Sequence, residues 1–313
     1  MNIHLHHNVQ PEFDPEKYIV DEGLQHAFEV AFALRQPLLL MGEPGTGKTM
    51  FAKKMAWELA KKEAGFRDKP LVFNTKTGSS ARDLFYTYDS LAHFQDANIR
   101  QESRDGMRGT HEYIKLEALG LAIAQTDPAQ LGKYPSLAGN LDAGKRSSVV
   151  LIDEIDKAPR DFPNDILNEI EEQAFRIREL SLDVKRSPDT PIMVIMTSNS
   201  EKNLPDAFLR RCVFYHIPFP DQEQLGKIAK SALGDSIADN LLEKLIEKFI
   251  EVRKKAARKA PGTAELLAWL RVIGVQKIES LDDDHNREIL KRNLSILVKT
   301  KEDYDDVKDV FYR

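Results

Sequence analysis

The densest chemistry in the chain lies in one short stretch. Gly42, Glu43, Pro44, Gly45, Thr46, Gly47, Lys48 and Thr49 spell G-x-x-x-x-G-K-T. An apolar run, Leu38–Met41, precedes it, and a helix-forming stretch, MFAKKMAWELA, follows. Each residue type has a use. The glycines let backbone N–H groups turn inward around phosphate. Lys48 can reach the β and γ phosphates of a nucleotide, the Thr49 hydroxyl suits Mg²⁺, and the following helix aims its N-terminus at the anion.

A second group completes the chemistry. VVLIDEIDKAP (149–159) is a buried strand that ends in two acids. Ligands of open α/β sheets bind at the carboxyl ends of the strands, the edge at which the phosphate loop also emerges. Asp153 at that edge can hold Mg²⁺, directly or through water. Glu154, one residue further, can polarise water for in-line attack on the γ-phosphate. Asn199 ends a third strand, PIMVIMTSN, where its amide can orient that water or touch the γ-phosphate; Thr197 and Ser198 rank below it. Arg210 and Arg211 follow LPDAFL. Presented to a neighbouring subunit, a guanidinium there would stabilise charge developing in phosphoryl transfer. The alternative is a local ion pair with Asp206 or Glu201. Lys157 and Asp156 pair locally or across an interface.

The elements that must position these residues follow from pattern. Residues 21–34 have helical spacing, 37–41 form the first strand, 49–63 a helix and 71–76 a buried strand. Residues 78–110 mix aromatics with charge and have no tidy period. Ser80 caps a helix through Leu84 and Phe85, Tyr86, Tyr88, Leu91 and Phe94 belong to an inserted element, and RQESRDGMRG reads as an exposed turn. Residues 111–126 read as helix, 127–146 as irregular, 163–177 as an amphipathic helix and RIRELSLDVKR as a short hairpin. The alternation of strands and helices implies a parallel sheet covered on both faces. After PFPDQEQL the patterns turn helical: 222–233, 239–257, 263–273, 284–296 and 301–312. The expected organisation is therefore a nucleotide-binding αβα domain over 1–220, with a short extension 1–17 and an insert near 80–110, and a helical domain over 221–313.

Composition narrows the classes. The chain has 313 residues, 42% hydrophobic and 30% charged, and a net charge of -5. That balance argues against broad nucleic-acid wrapping. The basic run EVRKKAARKAP (251–261) reads as a solvated helix face. Cys212 is the single cysteine, which excludes an intrachain disulfide and a four-cysteine zinc site. No segment has the length of a transmembrane helix or the pattern of a secretory signal, so a cytoplasmic location is expected. His4, His6 and His7 belong to a polar tail.

GEPGTGKT, LIDEIDKAP, MTSN and LPDAFLRRC, in this order, resemble the AAA+ ATPases, and YIVDEGLQHAFEVAFALRQPLLLMGEPGTGKT is similar to the start of their MoxR-like branch, whose relatives are also called dynein-related or CbbQ-type. The resemblance covers roughly 18–275. It implies a P-loop NTPase αβα domain with a helical lid, ATP at subunit interfaces and a ring, usually hexameric. It makes Gly42–Thr49 Walker A, Asp153 and Glu154 Walker B, Asn199 sensor 1, and Arg210 and Arg211 the arginine-finger region. The insert near 80–110 would line the ring face or pore. One departure stands out: where the family places a lid arginine, sensor 2, this chain has Ala264 within KAPGTAELLAWLR, and neither Arg258 nor Arg271 matches the position. An active ATPase is still expected. The implied function is chaperone-like remodelling or activation of a client complex with a von Willebrand factor A-domain partner. A nucleic-acid motor or loader, and a nucleotide-gated assembly protein of a defence or signalling system, are the alternatives.

Overall fold

The computed structural model describes residues 13–99, 108–199, 204–276, 278, 280–281 and 283–312. His4, His6, His7, Glu201 and most of the expected turn RQESRDGMRG lie outside them. In chain order the elements are α1 (Glu22–Leu34), β1 (Leu38–Met41), α2 (Lys48–Lys62), β2 (Leu71–Asn74), β3 (Tyr86–Tyr88), α3 (Ser90–Ile99), β4 (Ile114–Leu116), α4 (Ala118–Gln125), α5 (Pro135–Ala138) and β5 (Ser148–Asp153). There follow α6 (Phe162–Asp165), α7 (Leu167–Glu172), β6 (Ala174–Ile177), β7 (Leu182–Lys185), β8 (Ile192–Ser198), α8 (Asp206–Leu209) and β9 (Val213–His216). The C-terminal helices are α9 (Gln222–Leu233), α10 (Asp239–Lys255), α11 (Thr263–Val275), α12 (Asp284–Arg292), α13 (Leu294–Leu297) and α14 (Lys301–Val307). The chain divides into two compact units. Of the described residues, one holds those within Glu22–Met41 and Phe51–His216; the other gathers 13–21, Gly42–Met50 and those from Ile217 onward.

The first unit is built on a five-stranded parallel sheet in the order β2-β5-β8-β1-β9. Its central strands are apolar runs buried on both faces, as parallel sheets require. Leu39, Met41, Val150, Ile152, Val194 and Met196 join one continuous core with α4 and the β6–β7 hairpin. Their neighbours along each strand point to the opposite face. There α1 packs on β1 and β9, and Phe28 meets Phe51 of α2 edge-on. Register brings Met41 level with Ser198 and His216. The phosphate loop therefore leaves β1 at the level where β8 ends.

Three stretches depart from the expected elements. Within 163–177 the backbone breaks at Ile166 and ends its second helix at Gln173, which takes a left-handed conformation (φ 47). From Ala174 the chain is strand β6, with Phe175 and Ile177 buried and Arg176 exposed between them. Residues 114–116 likewise form β4, antiparallel to β3, before α4 begins. The strand expected to be buried over 71–76 is instead the edge strand β2, which ends at Asn74 and alternates half-buried with exposed residues because nothing among the described residues pairs on its outer side. The insert and the hairpin pack together: Phe85 stacks on Phe175 at 5.3 Å, and the Arg178 N–H donates to the Tyr86 hydroxyl at 3.2 Å. At Gly120 in α4 a Cβ would sit 1.9 Å from the Phe85 carbonyl oxygen, so only glycine fits that crossing.

The second unit has its own core, formed by Leu225, Leu245, Phe249, Leu266, Trp269, Leu290 and their neighbours. Its helices follow the periodic segments anticipated from the sequence, with 284–296 divided at Asn293.

Candidate active site

The phosphate loop belongs to the second unit. Gly45 (φ 81) and Gly47 (φ 89) sit in the left-handed region, where a side chain would strain the backbone, so the motif's glycines are required by conformation. The buried Lys48 ammonium lies across the loop and donates to the carbonyls of Gly42 at 2.8 Å and Glu43 at 2.9 Å. Thr46 Oγ1 also donates to the Glu43 carbonyl, at 2.9 Å. Thr49 stands in the first turn of α2. Sequence reasoning passed over Tyr18, whose hydroxyl donates to the Gly47 carbonyl at 3.2 Å. Burial raises the phenol's pKa, so it remains a donor.

The acids belong to the first unit. β5 delivers Asp153 at the sheet edge, and the next residue, Glu154, turns left-handed (φ 56). For a non-glycine residue this costs on the order of 1–3 kcal/mol and persists only where the surroundings enforce it. Thr197, almost completely buried in β8, does so: its hydroxyl accepts the Glu154 N–H at 2.8 Å and donates to Asp153 Oδ1 at 2.5 Å. One hydroxyl thus holds the Asp153 side chain and the Glu154 backbone. Asn199 joins them. Its backbone N–H donates to Asp156 Oδ1 at 3.3 Å, and its side-chain amide stands 3.5 Å from Glu154 Oε1. Lys157 donates to Glu154 Oε2, and this hydrogen bond raises the lysine's pKa. Lys157 thus pairs locally within the acid cluster. The Glu154 side chain is 40% exposed, so water can reach its carboxylate.

The structure therefore brings Asp153, Glu154, Asn199, Asp156 and Lys157 together and adds Thr197, which sequence reasoning had ranked low. The signal for Thr197 was register: Ile152 pairs with Met196, which sets the following residues of β5 and β8 beside one another. Arg210 and Arg211 follow α8 on the surface. Arg211 Nε lies 3.4 Å from Glu171 Oε1, an acid not anticipated, and no pair with Asp206 forms. The Arg210 guanidinium has no hydrogen-bond or charged partner among the described residues. At the start of α11 the Glu265 carboxylate accepts the Gly262 N–H at 3.0 Å, and Ala264 between them carries no charge. Burial pushes the Cys212 thiol up to about 12, which removes it as a thiolate nucleophile near neutral pH. No helix among the described residues is long and apolar enough to cross a membrane.

The family model described as AAA domain, dynein-related subfamily, matches residues 37–212, more than half of the chain. Protein CbbQ of Allochromatium vinosum is 50% identical over 34 residues, which is 11% of this chain and 46% of that protein. The chain thus spans less than half the length of this curated relative. Among solved structures, a HORMA:CdnC:Trip13 complex of E. coli MS115-1 is similar at 18% identity and a TM-score of 0.44, over 84% of this chain and 76% of that one. The FIGL-1 AAA domain in complex with ADP is similar at 17% identity and a TM-score of 0.43, over 91% and 85%. Structural likenesses this distant carry no inference about what this chain does.

Proposed function

The chain belongs to the dynein-related subfamily of AAA ATPase domains, and on that premise we propose that it binds ATP with Mg²⁺, hydrolyses it, and uses the turnover to remodel or activate a client protein complex. The observation that carries the catalytic half is the Thr197 hydroxyl between the Asp153 carboxylate and the Glu154 N–H, which holds one acid's side chain and the other's backbone at one strand end. In this reading the N–H groups of Gly45–Thr49 and the Lys48 ammonium hold the phosphates. Glu154 orients the attacking water and accepts its proton, and Asn199 holds the Glu154 carboxylate in place.

The donor set suits the metal. Among the described residues no cluster of three potential ligands occurs. The motifs assign Thr49 and Asp153 to magnesium, and each offers the kind of oxygen donor that ion takes, with water and substrate phosphate making up the rest. Bound, it would neutralise charge on the phosphates.

The surface position of Arg210 and Arg211 supports a role in trans, on the phosphates of a neighbouring copy in a ring, which we take to be a hexamer. The insert around 80–110 would face that ring's surface or pore. Client choice would fall to an adaptor, for which an A-domain protein is the candidate, and the setting would be cytoplasmic. The net charge of -5 favours a protein client over nucleic acid. A trap tests this. With ATP, the Glu154→Gln protein should retain a partner protein that the Lys48→Ala protein does not. Equal retention by both, or turnover stimulated by added DNA or RNA, would contradict the reading.

A further inference from the structure

The basic run 251–261, expected to be solvated, contains an arginine that is not. Arg253, in the last turn of α10, has a side chain only 15% exposed, while the carboxylate it meets is 56% exposed. Its guanidinium lies over the Phe219 ring at 3.5 Å. Nη1 donates to the Pro261 carbonyl at 2.6 Å, and Nη2 donates to the carboxylate of Glu43. One planar group therefore joins α10, the segment after β9, the turn before α11 and the phosphate loop. All of these lie in the same compact unit. The turn and the loop also touch backbone to backbone, since a Cβ on Gly262 would stand 2.8 Å from the Pro44 carbonyl oxygen.

The electrostatics give this contact a purpose. Glu43 places a negative charge inside a loop built to hold phosphates, and an uncompensated carboxylate there repels a polyanion. Glu265 adds another carboxylate nearby, its Oε2 lying 3.7 Å from a Cβ placed on Gly45. Arg253 is the cation that meets Glu43. A lysine would supply the charge but neither the stacking face nor the fork of donors.

We propose that Arg253 is a positioning residue for ATP, neutralising Glu43 and tying the phosphate loop to the turn before α11; this rests on the ATP-binding reading above. Charge and tether separate experimentally. Equilibrium binding of ATP and hydrogen exchange of residues 42–47 are measured for wild type, Arg253→Met, Arg253→Lys, Glu43→Gln and the Arg253→Met, Glu43→Gln double variant. Arg253→Met, which keeps an apolar stem on Phe219, should weaken ATP binding on the order of tenfold. It should also speed exchange in the loop. Arg253→Lys should hold affinity within roughly threefold while exchange still quickens. In the Glu43→Gln background, adding Arg253→Met should cost less than about twofold in affinity, because no carboxylate is left to compensate. Unchanged affinity in Arg253→Met would overturn the proposal. So would an equal loss in both backgrounds, which would mean that Arg253 meets the phosphates itself. A wild-type protein that binds no ATP would instead overturn the reading on which the proposal rests.

Discussion

At the scale of single residues, the account turns on how a few side chains are held. Thr197 is the clearest case. Its hydroxyl serves Asp153 and the Glu154 N–H together, so Thr197→Val keeps the shape and removes both bonds. Leaving that N–H and one carboxylate oxygen without this partner costs on the order of 1–3 kcal/mol. The expected outcome is a loss of that size in urea unfolding, and phosphate release slowed at least tenfold with ATP affinity little changed. The two arginines are distinguishable by their partners. Arg211 is engaged by Glu171, whereas Arg210 has no charged partner among the described residues. Arg210→Ala should therefore lower turnover more than Arg211→Ala. Mixing it with Lys48→Ala protein should restore part of the activity, because each variant would supply what the other lacks. A larger loss in Arg211→Ala, read from steady-state phosphate release, would reverse the assignment.

At the scale of elements, locally encoded segments are legible in the sequence, and those that depend on distant pairing are not. The phosphate loop and the acid-tipped strand were legible because an apolar run followed by polar residues needs no distant partner to be recognised. Strand β6 was not. Its residues continue an apolar spacing that also suits α7, and the break falls on Gln173, which adopts positive φ without the glycine that would announce it. Strand β4 was hidden in the same way, since its strand character depends on pairing with β3. Thr197 and Arg253 became visible only through contacts with residues far away in the chain.

Asp303, in the first turn of α14, shows another nonlocal device. Its buried carboxylate accepts the Thr300 hydroxyl at 2.7 Å and the N–H groups of Arg258 at 3.0 Å and Lys259 at 3.1 Å. These bonds, the Thr300 hydroxyl foremost, hold its pKa below the usual aspartate value. A depressed carboxylate stabilises the fold fully above its unfolded pKa, and that stabilisation is lost as pH falls through the lower folded value. Asp303→Asn should thus be less stable than wild type at neutral pH, with a gap that is constant above about pH 5 and narrows in acid. Urea unfolding of both proteins across that range measures it, and a gap that does not vary with pH would contradict the assignment.

At the scale of the whole molecule, the chain keeps the phosphate loop with its C-terminal helices in one compact unit and the acids with the parallel sheet in the other. In the proposed function Lys48 meets phosphate and Glu154 the attacking water, so binding and hydrolysis should be separable by substitution. That separation is the central claim. It is tested by measuring ATP affinity and steady-state phosphate release for the wild-type, Lys48→Ala and Glu154→Gln proteins side by side. The account predicts that Lys48→Ala loses affinity, whereas Glu154→Gln binds ATP as wild type does and releases phosphate at least a hundredfold more slowly. Wild-type turnover in the Glu154→Gln protein would contradict it.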